Sequence, residues 1–300
     1  MKLLITGSNG FVAGSIIAQT GTNWEVHGIA KTAMPGNPLS FTLHLGDLQD
    51  KERVSEIFTT VAPDAVIHAA AIANIDYCEQ NQELAWAINV ETTRTLATLC
   101  KAAGTRLVFC STDTVFDGTR GFFTETDIPH AVNYYATTKL ESEKLVMDAA
   151  SDNIVARLAL VMGFPVLGKG NSFLSDIQSK LEKKETLLFA ENEIRTPIDV
   201  HTLGAALIEL AGKTVPGGII HLSGNTRINR FEMAKQIATA LGYAPDAILP
   251  TNSNAIQGRA PRPNDASLDN SKAKQILQTR MCTLAEGLQL CINNKKSAQP

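Results

Sequence analysis

Three hundred residues, 44% of them hydrophobic, suffice for one large domain or two interlocked ones with a sizeable core. Twenty-seven basic residues are interspersed with 30 acidic ones for a net charge of −3, which leaves no electrostatic footprint for nucleic acid or an anionic membrane surface. No apolar run approaches the roughly 18 residues of a membrane span, and the opening Met1-Lys2-Leu3-Leu4-Ile5-Thr6-Gly7 has too short an apolar run for a signal peptide. Cys78, Cys100, Cys110, Cys282 and Cys291 are scattered without Cys-x-x-Cys spacing, so they read as reduced core thiols of a cytoplasmic protein. The histidines are equally dispersed, which argues against a metal site.

Along residues 1–160, short β-branched runs alternate with longer amphipathic ones, the pattern of a parallel sheet covered by helices. The patterning predicts strands at 2–6, 25–30, 42–45, 65–68, 106–110 and 154–160, and helices at 11–19, 51–59, 83–103 and 134–149. The apolar run Ala65-Val66-Ile67 suits a strand buried on both faces. Beyond 160 the rhythm changes: Gly163, Pro165, Gly168 and Gly170 mark an irregular stretch, and 180–184 reads as a solvated charged turn. A helix at 202–210, a strand at 218–222 and a helix at 230–241 follow, then a long loop at 249–263 and a polar, frayed end at 293–300. The expected class is α/β: a Rossmann-type doubly wound parallel sheet with a smaller C-terminal α/β substrate-binding domain. The expected division puts 1–160, with about 200–222 returning, in the dinucleotide-binding domain, and 161–199 with 223–300 in the substrate-binding domain.

Three motifs carry chemistry. The turn Thr6-Gly7-Ser8-Asn9-Gly10-Phe11-Val12-Ala13 lies between the first strand and the first helix, where glycines let the backbone approach a pyrophosphate at a helix N-terminus. Its spacing is Gly-x-x-Gly-x-x-Ala. After the second strand, where an acid would hold the ribose hydroxyls of NAD, stands Lys31, which could pair with a 2′-phosphate; NADP is therefore expected, with NAD the alternative. Gly46-Asp47-Leu48 closes the third strand, where Asp47 can accept from an adenine amino group, and Ala69-Ala70-Ala71 offers small side chains where a ribose must pass. Finally, Tyr135 and Lys139 are four residues apart on a predicted helix, hence on one face. A neighbouring ammonium is expected to lower the phenol's ordinary pKa of about 10 and make it a usable acid or base near neutrality. Tyr134 has Thr138 at that spacing, so Tyr135 is the candidate.

These pieces resemble the extended short-chain dehydrogenase/reductase superfamily over nearly the whole chain, and within it the dTDP-4-dehydrorhamnose reductase family. The resemblance is carried by Ala69-Ala70-Ala71, Asp76-Tyr77-Cys78-Glu79, Ala87-Ile88-Asn89-Val90, Ser111-Thr112-Asp113-Thr114-Val115-Phe116-Asp117-Gly118, Glu125-Thr126-Asp127, Tyr135 to Lys139, Arg195-Thr196-Pro197 and Arg262-Pro263-Asn264-Asp265. It implies that Thr112 orients a substrate carbonyl, Tyr135 donates the proton, and Lys139 supports Tyr135 while holding the nicotinamide ribose. It further implies that Gly7, Asn9, Gly10, Phe11, Val12, Lys31, Asp47, Leu48, Ala69, Ala70, Ala71 and Cys110 line the cofactor. Thr112, Asp113, Asn171, Arg195 and Arg262 would contact the substrate, the two arginines at its diphosphate. One departure stands out. Relatives carry Ser-Trp just after the sixth strand's arginine, whereas this chain reads Arg157-Leu158-Ala159-Leu160-Val161, so the sugar stays open.

The implied activity is NAD(P)H-dependent reduction of a nucleotide-linked 4-ketosugar in the cytoplasm, with a nucleotide sugar as small-molecule partner; the sequence admits a homodimer without requiring one. An epimerase or dehydratase of the same fold is the first alternative, although a dehydratase usually has an acidic pair after the threonine and Asp113 is followed by Thr114. The second is a non-catalytic NADP-binding regulatory subunit like that of methionine adenosyltransferase, which shares a Tyr-Cys-Glu stretch like Tyr77-Cys78-Glu79.

Overall fold

A computed structural model describes residues 1–34, 39–167, 172–212, 214–253 and 256–297. The first half runs β1 (Lys2–Thr6), α1 (Phe11–Gln19), β2 (Glu25–Ala30), β3 (Thr42–Leu45), α2 (Lys51–Val61), β4 (Ala65–His68), α3 (Ile75–Gln80), α4 (Gln82–Trp86), α5 (Thr92–Ala103), β5 (Arg106–Thr112), α6 (Tyr134–Ala149) and β6 (Ile154–Leu158). The second half adds β7 (Val161–Met162), α7 (Phe173–Glu182), β8 (Leu187–Ala190), β9 (Ile194–Arg195), β10 (Ile198–Asp199), α8 (Val200–Ala211), β11 (Gly218–Leu222), β12 (Ile228–Asn229), α9 (Arg230–Ala240), β13 (Ile248–Thr251), α10 (Ser271–Ile276) and α11 (Leu284–Ser297).

Seven strands form one parallel sheet in the order β11-β6-β5-β4-β1-β2-β3. Side chains alternate across a strand, and β1 shows the result. Leu3 and Ile5 join Ile16, Leu203 and Leu207 of α1 and α8 on one face, while Leu4 joins Ile57, Phe58 and Val146 of α2 and α6 on the other. Both faces are thus dry, as the apolar strands require. A separate core gathers Leu174, Ile177, Met233, Ile237, Ile248 and Leu288 from α7, α9, β13 and α11. Three two-stranded pairs trim this region: β7–β10 and β8–β13 parallel, β9–β12 antiparallel. The order of the large sheet reverses between β1 and β4, and ligands of such sheets bind beyond the strand C-termini at that crevice.

Several expected boundaries shift for visible reasons. The helix expected over 83–103 is instead α4, a π-helical stretch at Ala87–Glu91, and α5. Within that stretch Asn89 is buried, where its amide bonds the Ile72 backbone in both directions and donates to Thr138 Oγ1 at 3.1 Å. β5 continues to Thr112 because Ser111 and Thr112 pair with Arg157 and Leu158. Lys180 belongs to the last turn of α7, tied to Asp176 at 2.8 Å, so the expected charged turn begins later. The expected loop at 249–263 opens as strand, since β13 pairs with β8 through Thr251. Gly168, Gly170 and Asn171 lie outside the described residues. Among the described residues no helix is long and apolar enough to cross a membrane.

Candidate active site

The turn after β1 is built to let something lie against its backbone. Gly7 has φ +67°, and a Cβ there would lie 3.0 Å from the Ala70 Cα. A Cβ on Gly10, the residue that caps α1, would lie 2.9 Å from the Gly7 carbonyl oxygen. Thr6 Oγ1 bonds His68 Nδ1 at 2.7 Å, and His68 Nε2 bonds Thr93 Oγ1 at 3.0 Å, which ties β1, β4 and α5 together behind the turn. Burial holds His68 neutral, its pKa lowered to about 3. Asn9 Oδ1, in the same turn, is buried with no hydrogen-bond partner among the described residues, which calls for a ligand or water.

Two cavities meet here. One of about 410 Å³ is lined by Gly7, Asn9, Gly10, Lys31, Asp47, Leu48, Ala69, Ala70 and Ala71. The second, of about 820 Å³, is lined by Phe11, Val12, Ala69, Ala71, Cys110, Thr112, Asp113, Tyr135 and Lys139, and further out by Glu193, Arg195, Arg230, Arg259 and Arg262. They share Ala69 and Ala71. Every residue expected at cofactor or substrate therefore faces one cavity or the other, except Asn171, which is not described. The first cavity fits an adenosine diphosphate: a backbone cradle, a floor of alanines and the unspent Asn9 Oδ1. Lys31 is not a free cation there, because its Nζ pairs with Asp47 at 2.7 Å.

At the junction the catalytic candidates converge. Thr112 ends β5, and its hydroxyl bonds Asp113 and Thr114. Asn133 caps α6 by accepting from the Ala136 N–H at 2.9 Å, which fixes the helix start and delivers Tyr135 and Lys139 to one face. The Tyr134 backbone N–H donates to Glu79 of α3, and its side chain packs against the cluster of Cys78, Ala85 and Tyr135. The expectation that the ammonium would lower the phenol is overturned. Burial is the largest cause and pushes Tyr135 upward, and Asp113 and Cys78 add to it. Lys139 itself is lowered to about 8 by the same burial, and its ammonium sits 4.0 Å from the Phe109 ring centre. Burial thus shifts both groups toward their neutral forms, although Lys139 stays charged below about pH 8. Asp113 is raised to about 6 by burial, with Arg195 Nε 3.5 Å away opposing the shift, and its Oδ2 is without a hydrogen bond among the described residues.

The two arginines expected at a diphosphate are already engaged. Arg195 donates to the Ile194 carbonyl at 2.7 Å and the Pro263 carbonyl at 3.1 Å. Arg262 makes a two-pronged pair with Asp76 at 2.7 and 2.8 Å. Sequence reasoning missed Arg230, Arg259 and the buried Glu193 between them, whose oxygens lie 3.2 and 3.0 Å from the two guanidiniums. Nothing local marks these three; they converge only when α9 and the segment before Arg262 fold over β9.

Sheet order, glycine cradle and the Thr-Tyr-Lys junction define a Rossmann-type α/β protein with a dinucleotide-sized crevice. The chain belongs to the RmlD substrate binding domain family, whose model matches residues 1–297. It is 28% identical over 295 residues to the Haloferax volcanii protein named "Probable low-salt glycan biosynthesis reductase Agl14", covering 96% of each chain. It is likewise 28% identical to methionine adenosyltransferase 2 subunit beta of Rattus norvegicus, covering 92% of this chain and 82% of that one. The dTDP-4-dehydrorhamnose reductase of Bacillus anthracis, solved in complex with NADP, superposes with a TM-score of 0.85 at 23% identity over 98% of this chain and 99% of that one.

Proposed function

We propose that the protein reduces a nucleotide-linked 4-ketosugar with NADPH, NADH being the alternative donor. One observation supports this above the others: Thr112, Tyr135 and Lys139 meet where a glycine-cradled cavity joins a larger, arginine-lined one. The crevice fits the dinucleotide through Gly7, Gly10, the unpartnered Asn9 Oδ1 and the alanine floor, and the Bacillus anthracis protein of the same fold holds NADP. NADPH supplies a hydride when bound. Thr112 holds the substrate carbonyl, and the protonated Tyr135 gives its proton to the oxygen as negative charge develops. Lys139, charged below about pH 8, then stabilises the tyrosinate left behind. Asp113 accepts from a sugar hydroxyl through Oδ2.

The likeness to methionine adenosyltransferase 2 subunit beta favours one rival, a binding subunit with the same crevice and no turnover. The deciding experiment is NADPH consumption with dTDP-, UDP- and GDP-linked 4-ketosugars. Turnover with one of them is expected; tight NADPH binding without turnover of any would transfer the reading to the rival.

A further inference from the structure

The larger cavity holds more positive charge than its own carboxylates neutralise. Arg262 is matched by Asp76, and Arg195 lies between Asp113 and two backbone carbonyls. Glu193, 1% exposed, is the acid that Arg230 and Arg259 share, one oxygen to each. A single carboxylate between these two guanidiniums, with Arg195 Nη2 also 4.0 Å from it, leaves one full positive charge uncompensated. Each guanidinium spends one terminal nitrogen on Glu193, and each has five N–H donors to place. Arg230 is further fixed by the Phe173 ring, 4.9 Å from its guanidinium carbon.

We infer that Arg230 and Arg259, held side by side by Glu193, grip the diphosphate of the nucleotide-linked substrate, while Arg195 and Arg262 brace the cavity wall. This rests on the ketosugar reading above and alters its residue assignment. Two guanidiniums drawn to one carboxylate offer spare N–H donors to two neighbouring phosphoryl groups, which a single point charge would not.

The test is calorimetric titration of the NADP-loaded protein with dTDP, UDP and GDP, beside the matching nucleosides. Wild type should prefer a diphosphate over its nucleoside, and Arg230→Ala or Arg259→Ala should weaken that diphosphate roughly ten- to hundredfold while leaving the nucleoside and NADP unchanged. Arg230→Lys and Arg259→Lys keep charge and bulk and should lose a smaller share; they serve where an alanine variant fails to fold, recognised by lost NADP binding. Wild-type diphosphate affinity in the arginine variants would overturn the inference, as would a wild type that does not discriminate diphosphate from nucleoside. Neither result touches the reductase reading, which NADPH consumption by ketosugars judges separately.

Discussion

Burial sets the working protonation states at the junction. A phenol raised above its ordinary value keeps its proton across the physiological range, which suits a group that must donate it. Tyr135→Phe should therefore cut turnover by ~10²–10⁴-fold with NADPH affinity nearly unchanged, measured by steady-state rates beside fluorescence titration. The pH profile of kcat/KM should be bell-shaped. Its acid limb rises near pH 6 as Asp113 ionises, and its alkaline limb falls near pH 8 as Lys139 loses its proton. Asp113→Asn should abolish the acid limb, and a flat profile between pH 5 and 9 would refute both assignments. Stability moves oppositely at the alkaline end. Below about pH 8 Lys139 is charged in both folded and unfolded chains and the burial penalty is full; above it the folded chain has shed the proton and the unfolded one has not. The contribution of Lys139 to stability accordingly rises from about pH 8 until the unfolded lysine titrates near 10.5.

Between elements, the contact that matters most to the site is hidden beneath it. Arg157 of β6 binds Glu143 of α6 through Nε and Nη2, the latter at 2.7 Å, and Ser111 of β5 donates to the same carboxylate at 2.5 Å. Glu143 stands one helical turn beyond Lys139, and Arg157 keeps that carboxylate occupied. Arg157→Met should destabilise the protein by about 3–5 kcal/mol, because a buried carboxylate loses its partner. The double change with Glu143→Met should recover most of that loss in urea denaturation. A single variant as stable as wild type would show that the pair carries no structural weight. The same elements explain what could be read in advance. Strands β1 to β4 and helix α6 announce themselves because their signals are local: apolar runs, glycine punctuation and a four-residue Tyr–Lys spacing. The π-helical turn at Asn89 and the Glu193 cluster do not, since each depends on residues brought from distant segments. The direction of the Tyr135 shift was misjudged for the same reason. Spacing shows the lysine, but only packing shows how little water reaches the phenol.

At the scale of the molecule, residues 1–160 with about 200–222 are proposed to form the cofactor half, and 161–199 with 223–300 the substrate half. The sheet supports such a division, for β11 lies beside β6 and α8 packs its leucines against α1. Expressed alone, residues 1–160 should aggregate, since the outer edge of β6 and the apolar face under α8 would both be bare. Size-exclusion chromatography with circular dichroism would decide; a monomeric fragment that melts cooperatively would contradict the division. The place of β11 also bears on how the chain is made. A ribosome delivers six neighbouring strands in succession, then all of α7, β8 and α8 before Gly218–Leu222 emerges to seal the seventh place. Throughout that interval the nascent sheet offers its β6 edge to any other extended chain. Completion of the sheet is therefore a late, long-range event in synthesis, and the interval before it is when the newborn protein most needs shelter from its neighbours.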